Sequence, residues 1–198
     1  MNKRQATIRR TTNETDISLS LTLEGKGIAD VETGDGFLDH MLTLFASHGR
    51  FDLKISAIGD LYVDGHHTVE DVGICLGQAL AAALGDKKGI RRFGDVTVPM
   101  DEALILAAVD LSGRSYFGSD LSLPSPRLGS FDTELVEEFF LGFTRNANCT
   151  LHFKQFAGRN THHIIEGAFK AFARTLGKAT AIDPRFADDV PSTKGVLA

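Results

Sequence analysis

The sequence predicts an α+β protein built from two copies of one unit of about 90 residues. The pattern HHxxE occurs at residues 66–70 and again at residues 162–166, although this composition predicts about 0.01 occurrences by chance. Each copy opens an apolar stretch at helical spacing, and strands, a helix, a further strand and a Gly-containing loop precede it both times. We expect the halves, residues 1–94 and 95–198, to form one compact unit, with a small sheet in each half covered on one face by helices.

Alternating apolar residues, turn residues and helical spacing predict the elements of the first half. In order, these are a hairpin over residues 6–12 and 16–23, a strand within residues 25–36, a helix over 37–48, a strand over 51–58, a loop over 59–65 and the first HHxxE helix.

The charged turn at residues 85–89 is the best candidate boundary between the halves. The second half then contains strands within residues 96–98, 103–110 and 114–118, a loop from residue 124, a helix over 134–145, a strand over 149–156, a loop over 158–160, the second HHxxE helix and a tail from residue 182 without a clear element.

Composition excludes several classes of protein. Hydrophobic residues make up 42% and charged residues 24%, which is typical of soluble globular domains. A net charge of -5 argues against a general nucleic-acid binder. Cys75 and Cys149 fall in a predicted helix and strand and lack the spacing of a disulfide framework. No apolar run approaches the roughly 20 residues of a membrane span, and the N-terminal residues lack a signal-peptide core. We therefore expect a cytoplasmic protein.

The repeated pattern also indicates chemistry. On a helix, residues i and i+4 share a face, whereas the adjacent second His is rotated by about 100°. Each copy therefore offers one His/Glu pair and one lone His, which suggests two metal ions that each take a pair from one copy and the lone His from the other. The alternative is exposed His with a capping Glu, but four of the seven His would then cluster without a role. The pairs are His66 with Glu70 and His162 with Glu166, and the lone residues are His67 and His163.

Two further positions complete a list of four groups per metal. His40 lies 26 residues before His66, and Glu138 lies 24 residues before His162, so His40 and Glu138 are equivalent positions of the repeat. His48 follows His40 by eight residues and lies on the same helix face.

The segments GFLDHML, HHTVEDV, HHIIEGAFKAFARTL and PSTKGVL, with the early RRTTNET, resemble the imidazoleglycerol-phosphate dehydratase family over essentially the whole chain. The resemblance implies two ribosomal-protein-S5-domain-2-like units and a lyase of histidine biosynthesis that acts on a small phosphate substrate. It also implies two Mn²⁺ ions per subunit, with other divalent transition metals possible. The implied homo-oligomer has 24 subunits built from trimers, with active sites between chains and no nucleic-acid or membrane partner.

The resemblance transfers a ligand set to this chain. The i,i+4 argument assigns one ion to three residues and the other to four. Many family members have His where this chain has Glu138, which we expect to coordinate the first ion or to hold one of its waters. The first ion takes His66, Glu70 and His163, and the second takes His162, Glu166, His67 and His40.

The substrate dictates a route, because the carbon that loses its proton is not acidic. The adjacent imidazole ring of the substrate, deprotonated and bridged between two ions, can expel the neighbouring hydroxyl and leave a diazafulvene. The next C–H of the glycerol chain is then acidic enough for a carboxylate base. The resemblance places Glu14 near the substrate, and we expect it to be that base; a surface turn carboxylate is the alternative. His48 could contact substrate, and His152 is expected to be structural. The implied phosphate-binding residues are Arg92, Arg114, Ser192, Thr193 and Lys194.

Two other classes remain open from the residues alone. Paired ions also serve two-metal hydrolases, although such sites usually rely on Asp and bridging carboxylates rather than on His. A metal-storage or structural metal protein would instead have closed four-ligand shells.

Overall fold

The computed structural model describes residues 3–197, which form four helices and two four-stranded sheets. The first half contains β1 (Gln5–Thr11), β2 (Thr15–Thr22), β3 (Ala29–Glu32), α1 (Gly36–Gly49), β4 (Asp52–Gly59) and α2 (His66–Leu84). The second half contains β5 (Phe93–Met100), β6 (Ala103–Asp110), β7 (Tyr116–Ser119), β8 (Arg127–Leu128), β9 (Phe131–Asp132), α3 (Leu135–Ala147), β10 (Thr150–Ala157) and α4 (Thr161–Thr180), and a 3-10 turn (Pro184–Phe186) follows.

The two sheets have the same topology. Their strand orders are β1-β2-β4-β3 and β5-β6-β10-β7, and in each sheet the last pair is parallel while the others are antiparallel. The registers also correspond, since Leu19 lies opposite Ile55 and Ala107 lies opposite Phe153. The small β8–β9 hairpin, placed before α3, interrupts the repeat in the second half. The predicted duplication is therefore visible strand by strand.

The helices join the two halves through one hydrophobic core. α2 packs on β1 and β2, and α4 packs on β5 and β6, so each sheet is covered by a helix of its own half. Across the halves, α3 packs against α2 and α1 packs against α4. The predicted α+β architecture, with each sheet covered on one face by helices, is confirmed. The division into residues 1–94 and 95–198 stays a prediction, with β5 beginning at Phe93.

Some elements differ from the sequence prediction. β5 extends well beyond the predicted residues 96–98, although Gly94 and Pro99 are weak strand formers. Pro99 is tolerated because β5 is an edge strand, where a missing N–H breaks no ladder. The predicted strand at residues 114–118 is β7. It lies at the opposite edge of the second sheet from β5 and pairs with β10, so it is not adjacent to β6 in the sheet. None of the helices in residues 3–197 has both the length and the apolar character that a membrane span needs.

The crossing of α2 and α3 depends on glycine. A Cβ atom added at Gly73 would lie 2.4 Å from the carbonyl oxygen of Phe139, and one at Gly77 would lie 2.4 Å from that of Phe143. Both neighbours are backbone atoms and cannot rotate away. Two helix backbones can approach this closely only where side chains are absent.

Gly73→Ala is therefore expected to destabilise the protein by about 1–3 kcal/mol, since overpacking outweighs the roughly 1 kcal/mol gain in helix propensity. The matched control is Gly36→Ala at the start of α1, where an added Cβ meets no atom within 4 Å. Chemical denaturation of both variants measures the difference. Equal denaturation midpoints for Gly73→Ala and wild type would show that α2 and α3 can move apart without a loss of stability.

Candidate metal centre

Both HHxxE segments lie on the first turn of a helix, as predicted. The Asn160 side-chain oxygen accepts hydrogen bonds from the backbone N–H groups of His162 (2.9 Å) and His163 (3.3 Å), which caps α4. At the start of α2, the Asp64 carboxylate accepts a hydrogen bond from the His66 N–H at 2.8 Å. Both sets of bonds tie the loop before each pattern to the N-terminal end of its helix.

One group of metal-ligating side chains is assembled within the chain. His40 of α1 meets His162 and Glu166 of α4, and their ligand atoms lie within 4.8 Å of one another. The Glu166 Oε2 atom is 3.1 Å from His162 Nε2 and 3.5 Å from His40 Nε2. The packing of α1 against α4 brings the three residues together across the two halves. Within residues 3–197, no other three such side chains are found so close together.

These donors have the spacing of a metal shell. Metal–nitrogen and metal–oxygen bonds of about 2.0–2.2 Å place neighbouring octahedral donors roughly 3 Å apart. The two distances of 3.1 and 3.5 Å from Glu166 are close to that value. Two imidazoles with one carboxylate suit Mn, Fe, Co or Zn, so the residues fit a divalent transition metal.

A lysine that the sequence analysis missed completes the surroundings of Glu166. Lys170 Nζ lies 2.6 Å from Glu166 Oε1, one turn further along α4. Burial raises the pKa of Glu166, but the Lys170 ammonium and the hydrogen bonds from His162 and His40 outweigh it and hold that pKa below its ordinary value. The carboxylate is thus kept ionised and ready to act as a ligand. The i,i+4 spacing of Glu166 and Lys170 was the available signal.

The second His of each pattern is not part of this group and instead lies beside a carboxylate. His67 Nδ1 lies 3.0 Å from Asp60 Oδ2, and His163 Nδ1 lies 2.7 Å from Glu102 Oε2. The Asp60 carboxylate raises the pKa of His67, and Glu102 raises that of His163. The His163 hydrogen bond, with one from the Asn160 N–H, lowers the pKa of Glu102 to about 2.

The equivalent group of the other half is less compact. Glu138 of α3 and His40 of α1 each precede the left-handed residue that ends their helix by ten positions, so the predicted equivalence of these two residues agrees with the helix ends at Asn148 and Arg50. α3 packs on α2, which carries His66 and Glu70. Glu138, His66 and Glu70 do not form a three-donor group within 4.8 Å among the described residues.

A family model described as imidazoleglycerol-phosphate dehydratase matches residues 33–176. The chain belongs to this family. It is 57% identical over 197 residues to the imidazoleglycerol-phosphate dehydratase of Desulforamulus reducens, covering 100% of both chains. It is 55% identical over 194 residues to that of Prochlorococcus marinus strain AS9601, covering 98% of this chain and 96% of the relative.

Solved structures of the family share the fold. The Staphylococcus aureus imidazoleglycerol-phosphate dehydratase superposes with a TM-score of 0.82 at 43% identity, covering 90% of this chain and 99% of the other. The Pyrococcus furiosus enzyme gives a TM-score of 0.83 at 41% identity, covering 96% and 100%. The chain is thus a hydro-lyase of histidine biosynthesis, and the hydrolase and metal-storage alternatives are set aside.

Arg92, one of the predicted phosphate-binding residues, lies at the opposite end of α4 from the assembled group. Arg92 pairs with Asp110 at 2.7 Å, and its Nη1 donates to the Pro191 carbonyl at 2.9 Å, beside residues 192–194 of the tail. The Arg92 backbone N–H donates to the Ala179 carbonyl at 2.9 Å. Since Ala179 lies 17 residues after His162, the rise of α4 separates the two ends by about 26 Å.

The remaining predicted residues lie at three places. Arg114 lies in the turn between β6 and β7, and its carbonyl accepts a hydrogen bond from the Thr150 hydroxyl at 3.5 Å. His48, at the end of α1, lines a cavity of about 1210 Å³ with Arg174 and other basic residues. Burial and the cations Lys170 and Arg174 lower the pKa of His48.

His152 lies on the exposed face of β10 and packs on the Tyr116 ring, with the two ring centroids 5.2 Å apart.

Glu14 lies on a turn that is tied to α2. The Thr12 hydroxyl accepts hydrogen bonds from the N–H groups of Glu14 (3.0 Å) and Thr15 (2.9 Å). The Thr15 hydroxyl in turn donates to the buried Asp71 of α2 at 2.5 Å. The Glu14 carboxylate is half exposed, and its Oε1 lies 3.7 Å from His67 Nε2. Glu14, the predicted base, therefore lies beside His67, a predicted ligand. The hydroxyls of Thr12 and Thr15 hold its turn in place, so the Glu14 carboxylate is not needed for that.

Proposed function

We propose that this chain converts imidazoleglycerol phosphate to imidazole acetol phosphate with two Mn²⁺ ions per subunit, at sites completed between the chains of a homo-oligomer. The observation that carries the proposal is the group formed by His40, His162 and Glu166, whose donor spacing suits a divalent transition metal. A pocket of about 450 Å³ opens beside His40 and His162, between α1 and the β8–β9 hairpin, and offers room for a ring to approach.

The proposed ligands are divided between the two ions. His67 joins the three residues of the assembled group. The other ion takes the His66/Glu70 pair and His163, and Glu138 binds it directly or through a water. The carboxylate of Glu138 is a harder ligand than the His found there in many relatives, which suits Mn²⁺ at least as well.

When bound, two ions would hold the substrate ring as an imidazolate that can expel the neighbouring hydroxyl and leave a diazafulvene. Glu14 then takes the proton from the adjacent carbon, which the electron-poor side chain has made acidic. His48 contacts the substrate. The phosphate is held by charge-assisted and hydroxyl hydrogen bonds from Arg92, Arg114, Ser192, Thr193 and Lys194.

The distances within one chain favour sites between chains. A glycerol phosphate attached to an imidazole is far shorter than the approximately 26 Å between the metal group and Arg92. One substrate can therefore reach both only if they come from different subunits. His67 and His163 support this, because neither joins the assembled group of its own chain in the described residues. We propose an assembly of 24 subunits built from trimers.

A cytoplasmic location is part of the proposal. Cys75 and Cys149 are buried free thiols. Burial raises the pKa of Cys75 to about 11 and that of Cys149 to about 12, so neither is a ready thiolate for metal binding or oxidation. A reducing compartment suits such a chain.

Complete removal of metal is expected to abolish dehydration and to shrink the assembly, because ligands drawn from several chains link metal binding to association. Loss of water from the substrate, metal content and sedimentation are measured before chelation, after it and after Mn²⁺ is restored. Zn²⁺ and Mg²⁺ are added back separately to test the choice of metal. An unchanged sedimentation profile in verified metal-free protein would contradict the shared sites, and full activity there would contradict the metal mechanism.

A further inference from the structure

The two halves of the chain orient their second histidine with carboxylates from different segments. In the first half the carboxylate is Asp60, on the loop between β4 and α2. In the second half it is Glu102, on the turn between β5 and β6. Glu14 occupies the corresponding turn between β1 and β2, directly before the second strand of the hairpin, as Glu102 does. The duplicated positions Glu14 and Glu102 therefore have different surroundings.

Loop length explains the exchange. Six residues, 60–65, connect β4 to α2, and the loop begins with Asp60. Only three residues, 158–160, connect β10 to α4, and none of them is acidic. The Glu102 carboxylate fills that place, since it also accepts hydrogen bonds from the N–H groups of Asn160 (2.8 Å) and Arg159 (3.3 Å).

A carboxylate on Nδ1 determines what the imidazole can do. It accepts a hydrogen bond from Nδ1–H, selects the tautomer with a free Nε2 lone pair, and fixes the ring plane. The partners near Nε2 are more distant: Glu14 Oε1 lies 3.7 Å from that atom in His67, and Asp101 Oδ2 lies 3.7 Å from it in His163. In both halves Nδ1 thus lies within hydrogen-bond distance of a carboxylate, whereas the carboxylate near Nε2 lies beyond that distance.

We propose that Asp60 and Glu102 are positioning residues that hold His67 and His163 with Nε2 presented to a metal ion. The proposal rests on the dimetal function above and adds to it two residues that bind no metal. It also gives the duplicated turn carboxylates separate tasks. Because Asp60 already orients His67, Glu14 is free for proton transfer, whereas Glu102 is committed to orientation.

The test uses Asp60→Ala and Glu102→Ala, with Asp60→Asn and Glu102→Gln as conservative variants whose amide oxygen can still accept from Nδ1–H. Mn²⁺ affinity of the assembled enzyme is measured by exchange against buffered free Mn²⁺. The visible ligand-field spectrum of Co²⁺-loaded enzyme reports the geometry of the site. Asp86→Asn, an exposed carboxylate of the 85–89 turn, is the control.

Each Ala variant is expected to weaken Mn²⁺ binding about 10–100-fold and to change the Co²⁺ spectrum, and the amide variants should recover part of the affinity. Unchanged affinity and spectrum in both Ala variants would overturn the proposal. A lower melting temperature alone, with wild-type affinity, would make Glu102 only a cap of the 158–160 loop and would also overturn it. If the wild-type enzyme itself binds no metal, the dimetal function fails instead, so the two failures are distinguishable. Should an Ala variant not fold, the affinity of its amide variant decides, with at least a threefold loss expected.

Discussion

Glu14→Gln is expected to lower kcat by about 10²–10⁴-fold, the range that a general base contributes to proton transfer. The amide has nearly the shape of the carboxylate but cannot take the C–H proton. KM and Mn²⁺ content are expected to stay close to wild type, because Glu14 is assigned no metal ligand role. A loss in kcat without a loss in binding is the signature of an interaction made in the transition state.

Glu14→Gln should leave the structure of the turn unchanged. The turn is held by the Thr12 hydroxyl and, through Thr15, by Asp71, so removing the Glu14 charge leaves its supports intact. Asp16→Asn, two residues further along the same hairpin, is the matched control, since its carboxylate contacts only the Thr11 hydroxyl in the described structure and is exposed. A Glu14→Gln enzyme with near-normal kcat would move the base to another carboxylate.

Much of the site follows from the repeat itself. Helical periodicity after each HHxxE places His162 and Glu166 on one face, and the count back to His40 identifies its equivalence with Glu138. The duplication also anticipates that α1 and α3 carry matching positions. These inferences work because the spacing along a helix directly determines which side chains are neighbours.

Other parts could not be obtained from the sequence. Asp60 and Glu102 reach their imidazoles from a loop and a turn, and loop geometry leaves no periodic signal. Which carboxylate contacts the second His differs between the halves because the loop before α2 is three residues longer than the loop before α4. The effect of that difference is visible only in the structure. The distance between Arg92 and the metal group likewise needs the fold, because Arg92 is distant in sequence from the end of α4 that it contacts.

The β8–β9 hairpin shows a further limit. Its strands have two residues each, too few for alternation to be recognised, and they lie in a segment of Pro, Ser and Gly that reads as loop. Yet the Ser130 hydroxyl at its tip donates to the Asp35 carboxylate at 3.1 Å, and Asp35 caps α1 below His40. A short irregular segment thus forms one wall of the candidate pocket.

The second large effect is expected at the centre of the assembled group. Glu166→Gln should release one of the two proposed Mn²⁺ ions per chain and lower kcat by on the order of 10³-fold or more, since a Lewis-acid ion is worth several kcal/mol in the transition state. The Glu166 carboxylate contacts His40, His162 and Lys170, and its side chain is only 9% exposed. Metal analysis with steady-state kinetics measures both effects, and Glu137→Gln on the exposed face of α3 serves as control.

Lys170 makes it possible to separate metal loss from instability. Its side chain is 17% exposed, so Glu166→Gln leaves a largely buried ammonium without its carboxylate, at a cost of about 1–3 kcal/mol to the metal-free protein. The double variant Glu166→Gln/Lys170→Met removes that unpaired charge, and we expect it to regain most of the stability but neither the ion nor the activity. If the double variant instead regains Mn²⁺ binding and turnover, Glu166 acts as the partner of Lys170 and is not a metal ligand. Two ions per chain and near-normal kcat in Glu166→Gln itself would exclude the group of His40, His162 and Glu166 as a metal centre.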